Sequence, residues 1–133
     1  MRSVHDNILN AYTVDGVAKR IILHTAYEEA EPFEYTDILF DGVMDHFFRD
    51  TVLPSIIFDV EPGDVAHTLT RDKDAIDEGH RRGGWPSFYA PTVAEMVDKI
   101  ASAGCFLYTI VSSYGLDGWV VSRTMRIIPA DGG

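Results

Sequence analysis

The sequence predicts an α+β fold, with a mostly antiparallel sheet of about six strands and two helices packed on one of its faces. Three observations support this prediction. Runs of β-prone residues occur before residue 61 and again after residue 105, two segments between them have the apolar period of amphipathic helices, and Gly- or Pro-containing turns separate these segments. The resulting order ββββααββ groups strands before and after helices, which is typical of α+β rather than alternating α/β proteins.

The length of the chain indicates one domain. The 133 residues, of which 46% are hydrophobic, fall within the usual size of a single globular unit. A chain of this size buries enough of its unfolded surface, roughly two-thirds, to form a core without metal or disulfide cross-links. Neither a linker nor an internal repeat divides the sequence, so residues 1–133 are expected to form a single globular domain.

The first half of the chain contains the first four predicted strands. Asp15 and Gly16 form a dipeptide that favours a tight hairpin turn, because both residues tolerate positive φ angles. Gly42 indicates a bulge or bend within the third strand. The strands are predicted at residues 8–13, 17–27, 35–40 with a continuation over 43–48, and 55–60.

A change of period then predicts the first helix, over about residues 63–82. Val65, Leu69 and Ile76 recur at spacings of four and seven residues, with charged residues between them. Pro62 suits the first turn of a helix, and a Gly-Gly pair follows the predicted end. The segment is therefore expected to place one apolar stripe against the sheet.

A second helix and two strands complete the prediction. Thr92 and Glu95 have the spacing of a capping box, which satisfies free backbone donors at a helix start. Gly104 suits the C-terminal cap of this helix. Strands are predicted over residues 106–112 and 119–128, with a glycine-containing turn between them.

The net charge limits the classes of partner. Asp and Glu number 21 against 11 Lys and Arg, which gives a formal charge of −10. Nucleic-acid binding needs a basic surface that neutralises phosphates, and anionic membranes also attract basic segments. The sequence thus predicts neither a nucleic-acid partner nor a membrane partner. The N-terminus lacks the apolar region of a signal peptide, and the cytoplasm is the expected location.

The acidic residues are concentrated in one stretch. Eleven lie between Glu28 and Asp64, where Arg49 is the only Lys or Arg. One interpretation is a solvated face that aids solubility, and the other is a docking surface for a cationic protein. The second interpretation assigns binding to four clustered glutamates: Glu28, Glu29, Glu31 and Glu34.

A few histidines and aspartates could carry chemistry if the fold brought them together. The candidates for a catalytic role are His24, Asp37, Asp41 and His46. Close carboxylates can separate their pKa values for acid–base chemistry, but strand alternation alone also places Asp37 and Asp41 on one solvent-facing edge. Cys105 is the single cysteine, which excludes an intramolecular disulfide and a Cys-rich zinc site. No metal site and no cofactor are predicted.

Three aromatic residues occur in the loop between the predicted helices. Trp85, Phe88 and Tyr89 lie among Gly and Pro residues. Loops often carry function, and aromatic residues are favoured anchors of interfaces. The alternative is that these rings close the open end of the core, where a small domain needs their area.

Several short motifs together resemble a group of short, acidic bacterial proteins of uncharacterised activity. The resemblance spans nearly the whole chain and implies a single-domain, cytoplasmic bacterial protein. It implies no catalytic residue, substrate or cofactor. The motifs are His5-Asp6-Asn7, Leu23-His24-Thr25, Glu34-Tyr35-Thr36-Asp37, Phe40-Asp41-Gly42-Val43, Ser112-Ser113-Tyr114-Gly115 and Gly118-Trp119.

No residue pattern identifies a reaction, and the sequence favours a non-enzymatic protein-binding module. An immunity-type protein that occludes a basic partner is the concrete form of this hypothesis, by analogy of size and charge. The alternative is a small enzyme, or a ligand- or metal-binding domain, built from the histidines and aspartates. Self-association through an exposed strand edge is a third hypothesis.

Overall fold

A computed structural model describes residue 4 and residues 6–130, and His5 of the His5-Asp6-Asn7 motif lies outside the described residues. The described chain contains eight strands and three helices. The strands are β1 (Ile8–Asp15), β2 (Arg20–Tyr27), β3 (Glu34–Asp41), β4 (Asp45–Arg49), β5 (Ser55–Pro62), β6 (Phe106–Tyr114), β7 (Asp117–Ser122) and β8 (Thr124–Pro129). The helices are α1 (Val65–Arg71), α2 (Lys73–Gly83) and α3 (Val93–Ser102).

Local signals in the sequence account for several of these elements. The carboxylate of Asp15 accepts hydrogen bonds from the backbone N–H groups of Val17 and Ala18, at 3.0 and 2.9 Å, and so holds the β1–β2 turn. The Thr92 hydroxyl accepts from the backbone N–H of Glu95 at 3.2 Å and caps α3. The predicted hairpin and the predicted start of the second helix are thereby confirmed. The turn comprises residues 16–19, however, and Lys19 has the positive φ that was predicted for Asp15 and Gly16.

All strand pairs in the sheet are antiparallel, and the strand order is β4-β7-β6-β5-β1-β2-β3-β8. β3 continues into β4 through residues 42–44, and β7 continues into β8 through Arg123. β3 pairs with β8 and β4 pairs with β7, so the two ends of the order belong to one long pair of strands. The sheet therefore closes on itself.

The inside of this closed sheet holds the first hydrophobic core. Every strand contributes to it, and Phe40 and Tyr108 pack with their ring centroids 5.8 Å apart. On β2 the buried residues Ile21 and Leu23 alternate with the less buried Ile22 and His24, as the period of a strand requires. His24 consequently faces outward.

A second core lies outside the sheet, under the three helices. Its buried members on the sheet include Leu107, Trp119 and Val121 of β6 and β7. The helices contribute Leu69, Ile76, Met96 and Ile100 to the same cluster. The predicted α+β class and the antiparallel sheet are confirmed. Three helices, instead of the two predicted, cover the part of the sheet formed by β4, β6 and β7.

The predicted number and order of elements were wrong. The structure has eight strands instead of about six, because Gly42 and Arg123 interrupt two long strands. Both carbonyls of Asp41 and Gly42 accept from the backbone N–H of Arg123, at 3.1 and 3.2 Å, and the register shifts by one residue there. The order is five strands, three helices and three strands.

The helix predicted over residues 63–82 is also divided in two. Asp72, with φ −98° and ψ 13°, separates α1 from α2. Its carboxylate is turned into the protein and accepts a hydrogen bond from the indole N–H of Trp119 at 2.9 Å. This tertiary contact explains why the apolar period alone overestimates the length of the helix.

Candidate functional site

The connection between β2 and β3 forms an acidic tip, defined here by Glu28, Glu29, Glu31, Phe33, Glu34 and Tyr35. All four glutamates are exposed. Phe33 and Tyr35 are 44% and 36% exposed, so the tip presents part of two aromatic rings to solvent. The predicted binding glutamates are therefore brought together, and they surround aromatic surface that the sequence prediction did not include.

The charges of three glutamates at the acidic tip are not compensated by a cation of the described chain. Within the described part of the chain, Glu28, Glu29 and Glu31 take part in no ion pair. The Tyr27 hydroxyl donates a hydrogen bond to Glu29 Oε2 at 3.2 Å, which orients one carboxylate without neutralising it. A surface of this composition attracts cations and presents rings on which a partner can pack.

Other carboxylates of the same acidic stretch have partners within the protein. Asp41 accepts from Arg20 at 2.8 Å and lies 3.6 Å from Arg126. Asp45 accepts from Ser87, and Asp64 caps α1 by accepting from the backbone N–H of His67. Several carboxylates of the acidic stretch thus stabilise the fold, whereas the glutamates of the tip are exposed to solvent.

His24 and Asp37 meet directly on the outer face of β2 and β3. His24 Nδ1 lies 3.1 Å from Asp37 Oδ1, and His24 Nε2 lies 3.2 Å from the Thr13 hydroxyl. A carboxylate, an imidazole and a hydroxyl in this order match the arrangement that activates a nucleophile. The three side chains lie on an open, uncovered sheet surface, and the cavities described below are lined by other residues.

The fold does not assemble the four predicted catalytic residues into one site. Asp37 and Asp41 share the outer face of β3 with the nearby His24. His46 lies on β4, with its ring 4.9 Å from that of Phe48, which packs into the inner core. Burial lowers the pKa of His46, and the charge of the adjacent Asp45 opposes this shift.

Asp45 connects β4 to the loop between α2 and α3. Its Oδ2 accepts from the Ser87 hydroxyl at 2.5 Å and from the Ser87 backbone N–H at 2.9 Å. Burial raises the pKa of Asp45, and the hydrogen bonds from Ser87 act in the opposite direction. The contact fixes the loop against the sheet.

The three predicted aromatic anchors belong largely to the core. Phe88 is completely buried, and its ring centroid lies 6.0 Å from that of Trp119. Trp85 stacks on Trp119 at 6.0 Å. Tyr89 stacks on His80 at 3.8 Å and donates to Asp77 at 3.0 Å. These rings close the core at the helical side, and Phe88 has no exposed surface with which to bind a partner.

Three cavities are described. Two lie beside the β1–β2 turn, at the end of β2 and β3 away from the acidic tip, and one lies along α3. One of about 190 Å³ is lined by residues that include Arg20, Asp45, His46 and Trp85. A second of about 310 Å³ is mostly apolar and runs beside α3. The third, of about 390 Å³, is lined by Lys19, Gly42, Val43, Met44, Ala103, Cys105 and Arg123.

Cys105 is buried in the structure and lines both of the larger cavities. Burial raises the pKa of its thiol, and the nearby positive charge of Arg123 opposes this. Among the described residues, no group of three or more His, Cys, Asp or Glu side chains is arranged to hold a metal ion. Nor does any helix of the described chain have the length and apolar character needed to cross a membrane.

Comparison of the sequence with models of known protein families gave no match, and comparison with curated proteins gave none. The geometry of the described residues therefore provides the basis for the proposals that follow.

Proposed function

We propose that the protein is a small acidic binding module that recognises a cationic protein through its acidic tip. The observation that carries this proposal is the exposure of Phe33 and Tyr35 among exposed glutamates, of which Glu28, Glu29 and Glu31 form no ion pair with a described cation. Interface anchors are typically aromatic side chains, and complementary charge speeds the encounter and selects the partner. Glutamates at the tip would steer a basic surface towards the two rings.

The separation of the acidic residues supports the tip as the binding surface. Asp41, Asp45 and Asp64 accept hydrogen bonds within the protein, so their carboxylates are less available to a partner. The tip carries its negative charge on the connection between β2 and β3, where the four glutamates are exposed to solvent. An immunity-type role, in which the module occludes a basic protein, is the form of this proposal that we favour.

The test is capture of a partner by matched charge variants. The tip variant carries Glu28→Gln, Glu29→Gln, Glu31→Gln and Glu34→Gln, and the control variant removes four exposed charges elsewhere. The control consists of Asp50→Asn, Glu61→Gln, Asp74→Asn and Asp98→Asn. We expect wild type and control to retain the same basic protein from a host lysate at low salt. The tip variant should retain at least about tenfold less of this protein.

A single aromatic substitution separates specific recognition from charge alone. Phe33→Ser keeps all carboxylates and should reduce capture of that basic protein by about tenfold, since interface rings commonly contribute more than 1 kcal/mol. Retention is quantified by mass spectrometry at two salt concentrations. Equal capture by wild type, the tip variant and Phe33→Ser would contradict the proposal.

A second candidate function, ester or amide hydrolysis, is favoured by the contact chain from Asp37 through His24 to Thr13. In this function His24 Nε2 accepts the Thr13 hydroxyl proton as the oxygen attacks a carbonyl carbon, and Asp37 orients the imidazole. His24 then donates this proton to the departing alcohol or amine as its bond to the acyl carbon breaks, and water, deprotonated by His24, releases the acid from Thr13. It ranks second because the Thr13 side chain is exposed and none of the three described cavities is lined by Thr13, His24 or Asp37.

Hydrolysis of 4-nitrophenyl acetate tests the second candidate. If Thr13 is a nucleophile, Thr13→Val should lower the rate constant by about 10²-fold, and His24→Gln by a similar factor. An exposed imidazole can react with this ester by itself. A Thr13→Val variant as fast as wild type therefore eliminates the second candidate even if His24→Gln is slow.

A further inference from the structure

The cavity of about 390 Å³ is lined by two cations that form no ion pair with a described residue. Of the ten Lys and Arg residues in the described chain, seven form ion pairs. Lys99 donates to the backbone carbonyl of Tyr89 at 2.8 Å. The two that remain without a described partner, Lys19 and Arg123, line this same cavity. In a protein with a charge of −10, two uncompensated cations at one site form a local positive field.

The backbone positions both cations at the edge of the cavity. The Arg123 stem lies across Gly42, where an added Cβ would come within 2.9 Å of Arg123 Cγ. Gly42 also has a φ of +64°, which glycine adopts without strain. Lys19 has a φ of +57°, and its carbonyl accepts from the backbone N–H of Val43 at 2.9 Å. Thus the β1–β2 turn and the β3–β4 bend are joined directly beside the cavity.

The remaining walls of the cavity are apolar. Val43, Met44, Ala103 and Cys105 offer aliphatic and sulfur surface, and no carboxylate lines this cavity. A ligand that satisfies both features needs one anionic group and a short hydrocarbon part. A guanidinium suits a planar carboxylate especially well, since it can donate two parallel hydrogen bonds.

We propose that this cavity is a binding site for a small organic carboxylate. The carboxylate lies between Lys19 and Arg123, and the hydrocarbon part packs against Met44 and Ala103. The site is distinct from the acidic tip, because β2 and β3 have eight residues each and separate the two by about 26 Å. Its test does not depend on the existence of a protein partner.

The experiment is a titration of the ¹⁵N-labelled protein with sodium hexanoate, sodium acetate and hexylammonium chloride. Binding is monitored through the chemical shifts of the backbone amides. Hexanoate carries both features of the ligand, acetate lacks the hydrocarbon part, and hexylammonium has the opposite charge. We expect hexanoate to shift the amides of Gly42, Met44, Ala103 and Arg123 in a saturable way, with a dissociation constant of about 1 mM. Acetate and hexylammonium should bind at least about tenfold more weakly.

Two variants and one control identify the cations that bind the carboxylate. Arg123→Met keeps an unbranched stem over Gly42, and Lys19→Asn suits the positive φ, since Asn tolerates this conformation. Each should weaken hexanoate binding by about tenfold. Arg82→Met removes the same charge from an exposed site on α2 and should leave the affinity unchanged.

Three results would overturn the proposal. The first is the absence of saturable shifts at these amides with hexanoate. The second is equal binding of hexylammonium, which would make the cavity a purely apolar groove. The third is an affinity of Arg123→Met and Lys19→Asn that equals that of Arg82→Met.

Discussion

Substitution of Gly118 by alanine is expected to lower the free energy of unfolding by about 3–4 kcal/mol. Gly118 pairs with Phe48 on β4 and with Ile110 on β6, in the middle of the closed sheet. An added Cβ would come within 1.8 Å of the Phe47 carbonyl oxygen, and the φ of +148° is one that other residues rarely adopt. The obstacle is backbone, which cannot rotate away as a side chain can.

Gly16 provides the matched control for this substitution. It lies at the β1–β2 turn, and an added Cβ would meet nothing within 4 Å. Gly16→Ala should change the free energy of unfolding by no more than about 0.5 kcal/mol. Urea titrations followed by tryptophan fluorescence measure both variants. A Gly118→Ala protein as stable as Gly16→Ala would show that the β4–β7 pairing is not as close as described.

Removal of the Asp72 carboxylate has the second large expected effect. Its side chain is only 3% exposed and accepts from the Trp119 indole at 2.9 Å and from Arg71 at 3.0 Å, with Arg49 at 3.4 Å. Asp72→Ala leaves the buried indole N–H without its acceptor and should cost about 3 kcal/mol. Asp72→Asn retains an acceptor for the indole and should cost about 1–2 kcal/mol.

An exposed aspartate on α3 controls for the loss of one negative charge. Asp98→Ala should alter stability by no more than about 0.5 kcal/mol. Thermal unfolding of the three variants and the wild type gives the comparison. If Asp72→Ala matches Asp98→Ala, the buried network does not stabilise the fold.

The same carboxylate makes stability depend on pH. Burial raises the pKa of Asp72, but hydrogen bonds from Arg71 and Trp119 and the charges of Arg71 and Arg49 outweigh burial and lower it below 3.8. A lowered pKa in the folded state contributes stability above the pKa of the unfolded state, and this contribution is lost as pH falls through the folded value. The stability difference between wild type and Asp72→Asn should therefore shrink as pH falls below about 4.

Local features of the sequence predicted much of the secondary structure. The β-prone residues over 17–27 predicted β2, and the spacing of Thr92 and Glu95 marked the start of α3. Such signals depend on neighbouring residues and on the period of each element. The class of the fold followed from the grouping of strands and helices.

Contacts between distant segments could not be predicted in this way. The closure of the sheet depends on β3 pairing with β8, and nothing local to either strand specifies its partner. The break at Asp72 depends on Trp119, which lies in β7. Burial of Phe88 likewise required the position of the helices, because the composition of a loop does not distinguish an interface anchor from a core residue.

The candidate sites also differ in whether neighbouring residues or distant segments form them. The four glutamates of the tip are adjacent in sequence, so clustering was visible there. Lys19 and Arg123 are distant in sequence. They line the same cavity because the β1–β2 turn and the β7–β8 junction both flank the bend between β3 and β4. The sequence offered one indirect signal for this site. A bulge or bend was predicted at Gly42, and the stem of Arg123 lies across that residue.

Closure of the sheet has a consequence for synthesis of the chain on the ribosome. β1, β2 and β3 are adjacent in sequence and can pair as soon as they emerge, but β3 must wait for β8 to cover its other edge. Thr36 and Pro129, which pair in the finished molecule, are separated by most of the polypeptide, and ordering so long a loop slows folding. Until translation reaches the last strand, the nascent protein exposes an unpaired edge that other chains can join, so this interval is when chaperones would matter most.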